Sequence, residues 1–180
     1  MRHAHDGREA NLLGAASLAI ADRLRLATEE GARQGGSAPA ALVSLAGYLD
    51  GRPIDSLRDP LGVTHSAAVR VVDRLVEAGL ARRRPGPDRR SVGVELTAAG
   101  HEAASSALRA RQATLEAAMD GLTREERAQL VRLHEKLLAA LTDGRRSARR
   151  TCRLCDVHAC GHDDGRCPVT NAANAAASTT

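Results

Sequence analysis

Apolar residues recur at helical spacing along most of this chain. Leu13, Ser17, Ile20 and Leu24 space an amphipathic helix that ends near Ala32. Gln34 to Ser37 reads as a loop, and residues 39–50 as a second helix with Leu42, Leu45, Ala46 and Leu49 inward. Gly51-Arg52-Pro53 breaks that helix. Ile54, Leu57 and Leu61 mark a short helix, shortened or distorted by Pro60 in its last turn. The next helix starts at its N-cap Thr64, carries Val69, Val72, Leu75 and Val76 as one stripe, and stops before Gly79. There the period changes from 3.6 to 2. Val92, Val94 and Leu96 alternate as a half-buried strand, after a Pro85-Gly86-Pro87-Asp88 turn cluster. Thr97 then caps a long helix whose inner face is Leu108, Gln112, Leu115 and Met119. Thr123 and Glu126 form a capping-box signature for a last helix bearing Leu130, Leu133, Leu137 and Leu141, which ends at Asp143-Gly144.

This order predicts a mainly α fold with a small β wing: a winged helix-turn-helix with flanking dimerisation helices. The reading module spans residues 54–78 (helix-turn-helix) and 80–97 (wing). The flanking helices span 11–32 and 98–142, so residues 11–143 form one domain after a loose stretch at 1–10. Arg70 and Arg74 are four apart and share a helix face opposite the valines, with Ser66 one turn earlier. A helix that buries valines and points small residues and arginines outward can enter a major groove and reach base edges. The long apolar-faced helices exceed what one small module needs to cover itself, which suggests a second copy. A symmetric pair would match a pseudo-palindromic duplex site.

Composition sharpens this picture in two ways. One tyrosine and no phenylalanine or tryptophan leave a core of Leu, Val and Ala, which suits packed helices. The same scarcity nearly excludes single-strand binding by aromatic stacking. The net charge of +4 is modest, but five arginines fall between Arg82 and Arg90 and five more between Arg145 and Arg153. Such clusters suit a phosphate backbone. No apolar run is long enough for a membrane helix, and Met1 to Asp6 lacks the apolar core of a signal peptide, so a cytoplasmic location is expected.

Leu61-Gly62-Val63-Thr64-His65-Ser66, Val72-Asp73-Arg74-Leu75, Gly79-Leu80, Arg83, Asp88-Arg89-Arg90 and Leu96-Thr97-Ala98-Ala99-Gly100 together resemble the MarR family of bacterial transcriptional regulators. The match covers roughly residues 10 to 142. The resemblance implies a homodimer joined through the terminal helices, binding double-stranded DNA at a promoter, often as a repressor. It places recognition-helix contacts on Thr64, His65, Ser66, Arg70 and Arg74. The wing motif Asp-x-Arg falls on Asp88, which would brace the wing, and Arg90, which would enter the minor groove; Arg89 would meet a phosphate. It also implies a small-molecule effector between the dimer helices and the reading module, though this chain lacks residues for an aromatic-lined pocket. Cysteine-based oxidant sensing in the helical body does not carry over, because no cysteine precedes residue 152.

All four cysteines lie in a tail, residues 144–170: Cys152-x2-Cys155-x4-Cys160-x6-Cys167. Three chemistries fit the spacing. Four thiolates suit a closed zinc site, they can hold an iron–sulfur cluster or redox switch, and they can remain free thiols. Residues 171–180 read as a disordered end. Catalysis is not expected. Asp55, Asp59 and His65 have no acid–base spacing, and no phosphate-cradling glycine loop, nucleophile elbow or His-Glu metal motif occurs. The alternative function is a winged-helix protein-interaction module, or a redox- or metal-sensing adaptor carrying a four-cysteine tail. Steep salt dependence of duplex affinity separates the DNA-binding reading from that one.

Overall fold

The computed structural model describes residues 7–85 and 92–178. Helix α1 (Arg8–Ala32) leads to α2 (Ala38–Ser44), which widens into a π-turn over Leu45–Leu49. A 3-10 turn (Ile54–Leu57) runs into the one-turn helix α3 (Arg58–Leu61), followed by α4 (His65–Glu77). Strands β1 (Ala81–Pro85) and β2 (Val92–Leu96) pair antiparallel, with Ala81 opposite Leu96 and Arg83 opposite Val94. Two long helices follow, α5 (Ala98–Ala118) and α6 (Arg124–Ala140). The chain closes with α7 (Arg145–Thr151), a 3-10 turn (Cys152–Leu154) and α8 (Pro168–Ser178).

The core is where the helix-turn-helix meets the wing. Leu42, Leu45, Leu57, Val72, Leu75 and Val94 are each under 2% exposed. In α4 the buried stripe is Ala68, Val71, Val72 and Leu75, and Val69 and Val76 pack partly against it. The stripe is thus rotated slightly from the predicted one, toward the 3-10 turn, β1, α2 and α3 against which α4 packs. Strand β2 is held on both edges: β1 pairs on one, and on the other the Gly51 N–H donates to the Val94 carbonyl at 2.8 Å. Val94 and Leu96 are buried as the alternation predicts, but Val92 is 43% exposed. It sits opposite Pro85 at the outer end of the ribbon, beyond the reach of the core.

The three predicted caps are present. Thr64, Thr97 and Thr123 accept from the N–H groups of Ala67, Gly100 and Glu126, and Glu126 returns a bond to the Thr123 N–H at 2.8 Å. The Thr123 bonds hold the Glu126 carboxyl below the usual range. Helix α6 buries none of its residues within the protomer, so this box is a main local support of its first turn. Thr123→Ala is expected to destabilise the fold by about 1 kcal/mol, read as a lower denaturant midpoint with an unchanged slope.

Two terminal expectations are corrected. Residues 8–10 are helical rather than loose. Residues 171–178, expected to be disordered, belong to α8, which packs against α6 and α7 and buries Val169 and Ala173. An alanine-rich run opened by Pro168 at the first helical position has high intrinsic helicity, and its two buried side chains supply the docking. In α5 the buried residues are Gly100, Ala104 and Ala107; Leu108, Leu115 and Met119 are half-buried and Gln112 is exposed, bonded to Glu116.

Candidate nucleic-acid interface and thiol cluster

The recognition helix α4 is fixed at its N-terminus and along one edge. His65 Nδ1 lies 3.2 Å from Asp55 Oδ1, and Arg58 donates to the same carboxylate at 3.1 Å. The Arg58 guanidinium, and then His65, holds the Asp55 carboxyl below the usual carboxylate range. The 3-10 turn is thereby tied to the first residue of α4. Ser66 Oγ lies 3.1 Å from Thr64 Oγ1, so the cap hydroxyl orders its neighbour. Thr64, His65, Ser66, Arg70 and Arg74 are all exposed.

The wing is tied to α4 as well. Arg83 of β1 donates to Asp73 of α4 at 2.5 Å. Arg82 and Arg84 both reach Glu95 of β2, at 3.0 and 2.7 Å. Arg82 first, then Arg84, keeps Glu95 below the usual range. Three of the five clustered wing arginines therefore brace the ribbon and hold it to the helix. Arg70 and Arg74 differ: neither forms an ion pair with another described residue, and both project from the outer face of α4. Asp88, Arg89 and Arg90 lie outside the described residues.

The turn of the helix-turn-helix carries a contact that the sequence does not announce. Gly62 has φ +62°, the left-handed conformation that ends α3. A Cβ there would come within 2.5 Å of the Arg150 guanidinium. Arg150 donates to the carbonyls of Pro60 and Leu61, the unpaired acceptors at the end of α3. Arg146 and Arg149 both bind Asp59, at 3.2 and 3.1 Å. The second arginine cluster thus docks α7 on α3. These pairs are 87 to 90 residues apart, beyond the reach of any local pattern. Leu154 packs on the core, and the Ser44 hydroxyl donates to the Arg153 carbonyl at 3.4 Å.

The four cysteines converge. Cys152, Cys155, Cys160 and Cys167 line one cavity of about 190 Å³, with Tyr48 and Arg149 beside them. None is in a disulfide, and Cys167 is buried. The Cys155 thiol shares a hydrogen bond with Cys152, which lowers Cys152 and, with burial, pushes Cys155 well above the thiol range. Burial and the neighbouring Cys155 push Cys160 up to about 12. Among the described residues, no three Cys, His, Asp or Glu side chains close on one point tightly enough to form a single-ion shell. His158 Nδ1 lies 3.2 Å from Asp163, and His162 Nδ1 lies 3.1 Å from the Thr170 hydroxyl.

No protein-family model and no curated protein matches the sequence. Solved structures do. A MarR family protein from Bacillus stearothermophilus aligns with TM-score 0.64 and 21% identity, covering 76% of this chain and 95% of that one. Wild-type MarR from E. coli in its apo form aligns with TM-score 0.57 and 25% identity, covering 70% and 96%. A putative MarR family transcriptional regulator from Listeria monocytogenes, complexed with a 26mer DNA, aligns with TM-score 0.55 and 17% identity, covering 71% and 85%. The fold of this chain is therefore a MarR-like winged helix, and about a quarter of the chain lies outside the alignment with the first of these. No helix among the described residues is long and apolar enough to cross a membrane.

Proposed function

We propose that this chain is a double-stranded-DNA-binding transcriptional regulator, a repressor, that acts in the cytoplasm as a homodimer on a pseudo-palindromic promoter site. The observation that carries this reading is the outer face of α4. It presents Thr64, His65 and Ser66 at the N-terminal turn and, along its length, two cations that pair with no described residue, Arg70 and Arg74. Side chains in those places reach base edges when a recognition helix lies in the major groove. The Arg83–Asp73 bond makes the wing move with the helix, so both would dock as one body. Arg89 and Arg90, at the wing tip by sequence, would extend the contact to phosphate and minor groove.

The dimer has its own support. Leu12, Leu13, Leu18 and Leu26 of α1, and Val131, Leu133 and Leu137 of α6 with Leu141 just beyond it, are each between 39% and 72% exposed in the protomer. Helices that leave so much aliphatic surface in water gain by covering it with a second copy.

Selection from a random duplex pool tests both halves together. The expected product is an inverted repeat with half-site centres about 10 base pairs apart, bound by two chains per duplex. A pool that stays random, or a protein that sediments as a monomer with and without DNA, would refute the proposal.

A further inference from the structure

We infer that Cys152, Cys155, Cys160 and Cys167 hold an iron–sulfur cluster, and that this cluster fixes α7 against the turn of the helix-turn-helix. The second half rests on the DNA-binding reading above; the first does not.

Among the described residues, four thiols and no carboxylate line one shared cavity of about 190 Å³, the donor set an iron–sulfur cluster takes. Tyr48 and Val157 help make the walls mostly apolar, which shields a cluster from water. The fourth cysteine precedes Pro168, the Cys-Pro closure that ends bacterial cluster-binding runs. Pro168 opens α8, and the Asn171 N–H donates to the Cys167 carbonyl at 3.0 Å, so the last ligand is held by a helix start. Four thiolates around a cluster carry net negative charge, and Arg149 lines the same cavity.

Arg149 is also the link to the reading module. It lines the cysteine cavity, and its guanidinium donates to Asp59 on α3 at 3.1 Å. One residue later, Arg150 covers the end of α3 and packs on Gly62. Ala148, Arg149 and Cys152 place one end of α7 on the cavity wall, while Arg146, Arg149 and Arg150 place its other face on α3. Cluster occupancy therefore sets how firmly α7 is held, and α7 sets the position of the turn that orients α4.

The full chain is reconstituted anaerobically with ferric iron, sulfide and a thiol reductant, then desalted. The expected result is iron and acid-labile sulfide in equal amounts, two or four of each per chain, with a visible absorption band and four thiols protected from alkylation. Cys155→Ser and Cys167→Ser should each lose the band while keeping the wild-type helix content by circular dichroism. One zinc per chain without sulfide, or no bound metal with four reactive thiols, would overturn the cluster assignment in the wild type alone, whatever the variants do. For the coupling, duplex affinity is compared between loaded and cluster-free protein, with a difference of about tenfold expected. Arg149→Ala should keep the iron and sulfide and abolish that difference. Equal affinity of the two wild-type forms would overturn the coupling and leave the cluster standing. No duplex binding by either form would overturn the DNA-binding reading and the coupling with it, the cluster being decided by iron and sulfide.

Discussion

Replacing Gly100 by alanine is expected to destabilise the fold by about 3 kcal/mol. Gly100 is buried in the first turn of α5, where its N–H donates to the Thr97 cap. A Cβ at this position would lie 1.9 Å from the Leu80 carbonyl oxygen and 3.0 Å from the Leu80 carbonyl carbon. Both are backbone atoms, so no side-chain rotation relieves the clash. The same oxygen accepts from the Thr97 N–H at 3.0 Å, and the Thr97 hydroxyl donates to the Gly79 carbonyl at 2.8 Å. The corner after α4 and the start of α5 are thus one bonded unit, and the added methyl pushes them apart. Chemical denaturation checks the magnitude. The functional consequence is specific: α4 loses its fixed angle to the long helices, so duplex affinity should fall even where the variant remains folded.

The second large effect falls on the groove face. Arg70→Ala should weaken binding to the selected duplex by about 1–3 kcal/mol, or about 5- to 150-fold, if its guanidinium spans a guanine edge. Arg70 is exposed and forms no ion pair with a described residue, so stability should change little. The loss should vanish on duplexes altered at the base pair Arg70 reads, because the lost contact is base-specific. A uniform loss across all duplexes would instead make Arg70 a phosphate contact. Arg83→Ala makes a useful contrast. It removes the Asp73 bond and frees the wing, so affinity should drop on every sequence alike.

Much of this could be read along the chain because the informative signals are local. Thr64, Thr97 and Thr123 each sit three residues before the N–H they cap, a spacing any sequence shows directly. The arginine face of α4 follows from four-residue spacing against a valine stripe. The MarR-like architecture followed from the order of such elements. What was not legible depends on contacts across the chain. Asp59 gives no sign by itself that Arg146 and Arg149 will bind it, and Arg150 looks like one more member of a basic linker until it covers the end of α3. Val92 obeys the alternation but lies beyond the core. The alanine- and asparagine-rich end reads as disordered by composition, yet it gains a partner surface from α6 and α7. The cysteine spacing admitted zinc, a cluster or free thiols, and it did not show that all four cysteines line one cavity beside Tyr48.

The central claim is that the face of α4 and its wing bind duplex DNA through phosphates as well as bases. The most direct measurement is the affinity of the wild-type protein for its selected duplex across a salt series. A dimer placing several arginines on phosphates predicts a log–log slope of about −5 or steeper, with tight binding at low salt. An affinity that stays flat as salt rises, or no binding beyond that of an unrelated neutral protein at low salt, would contradict it.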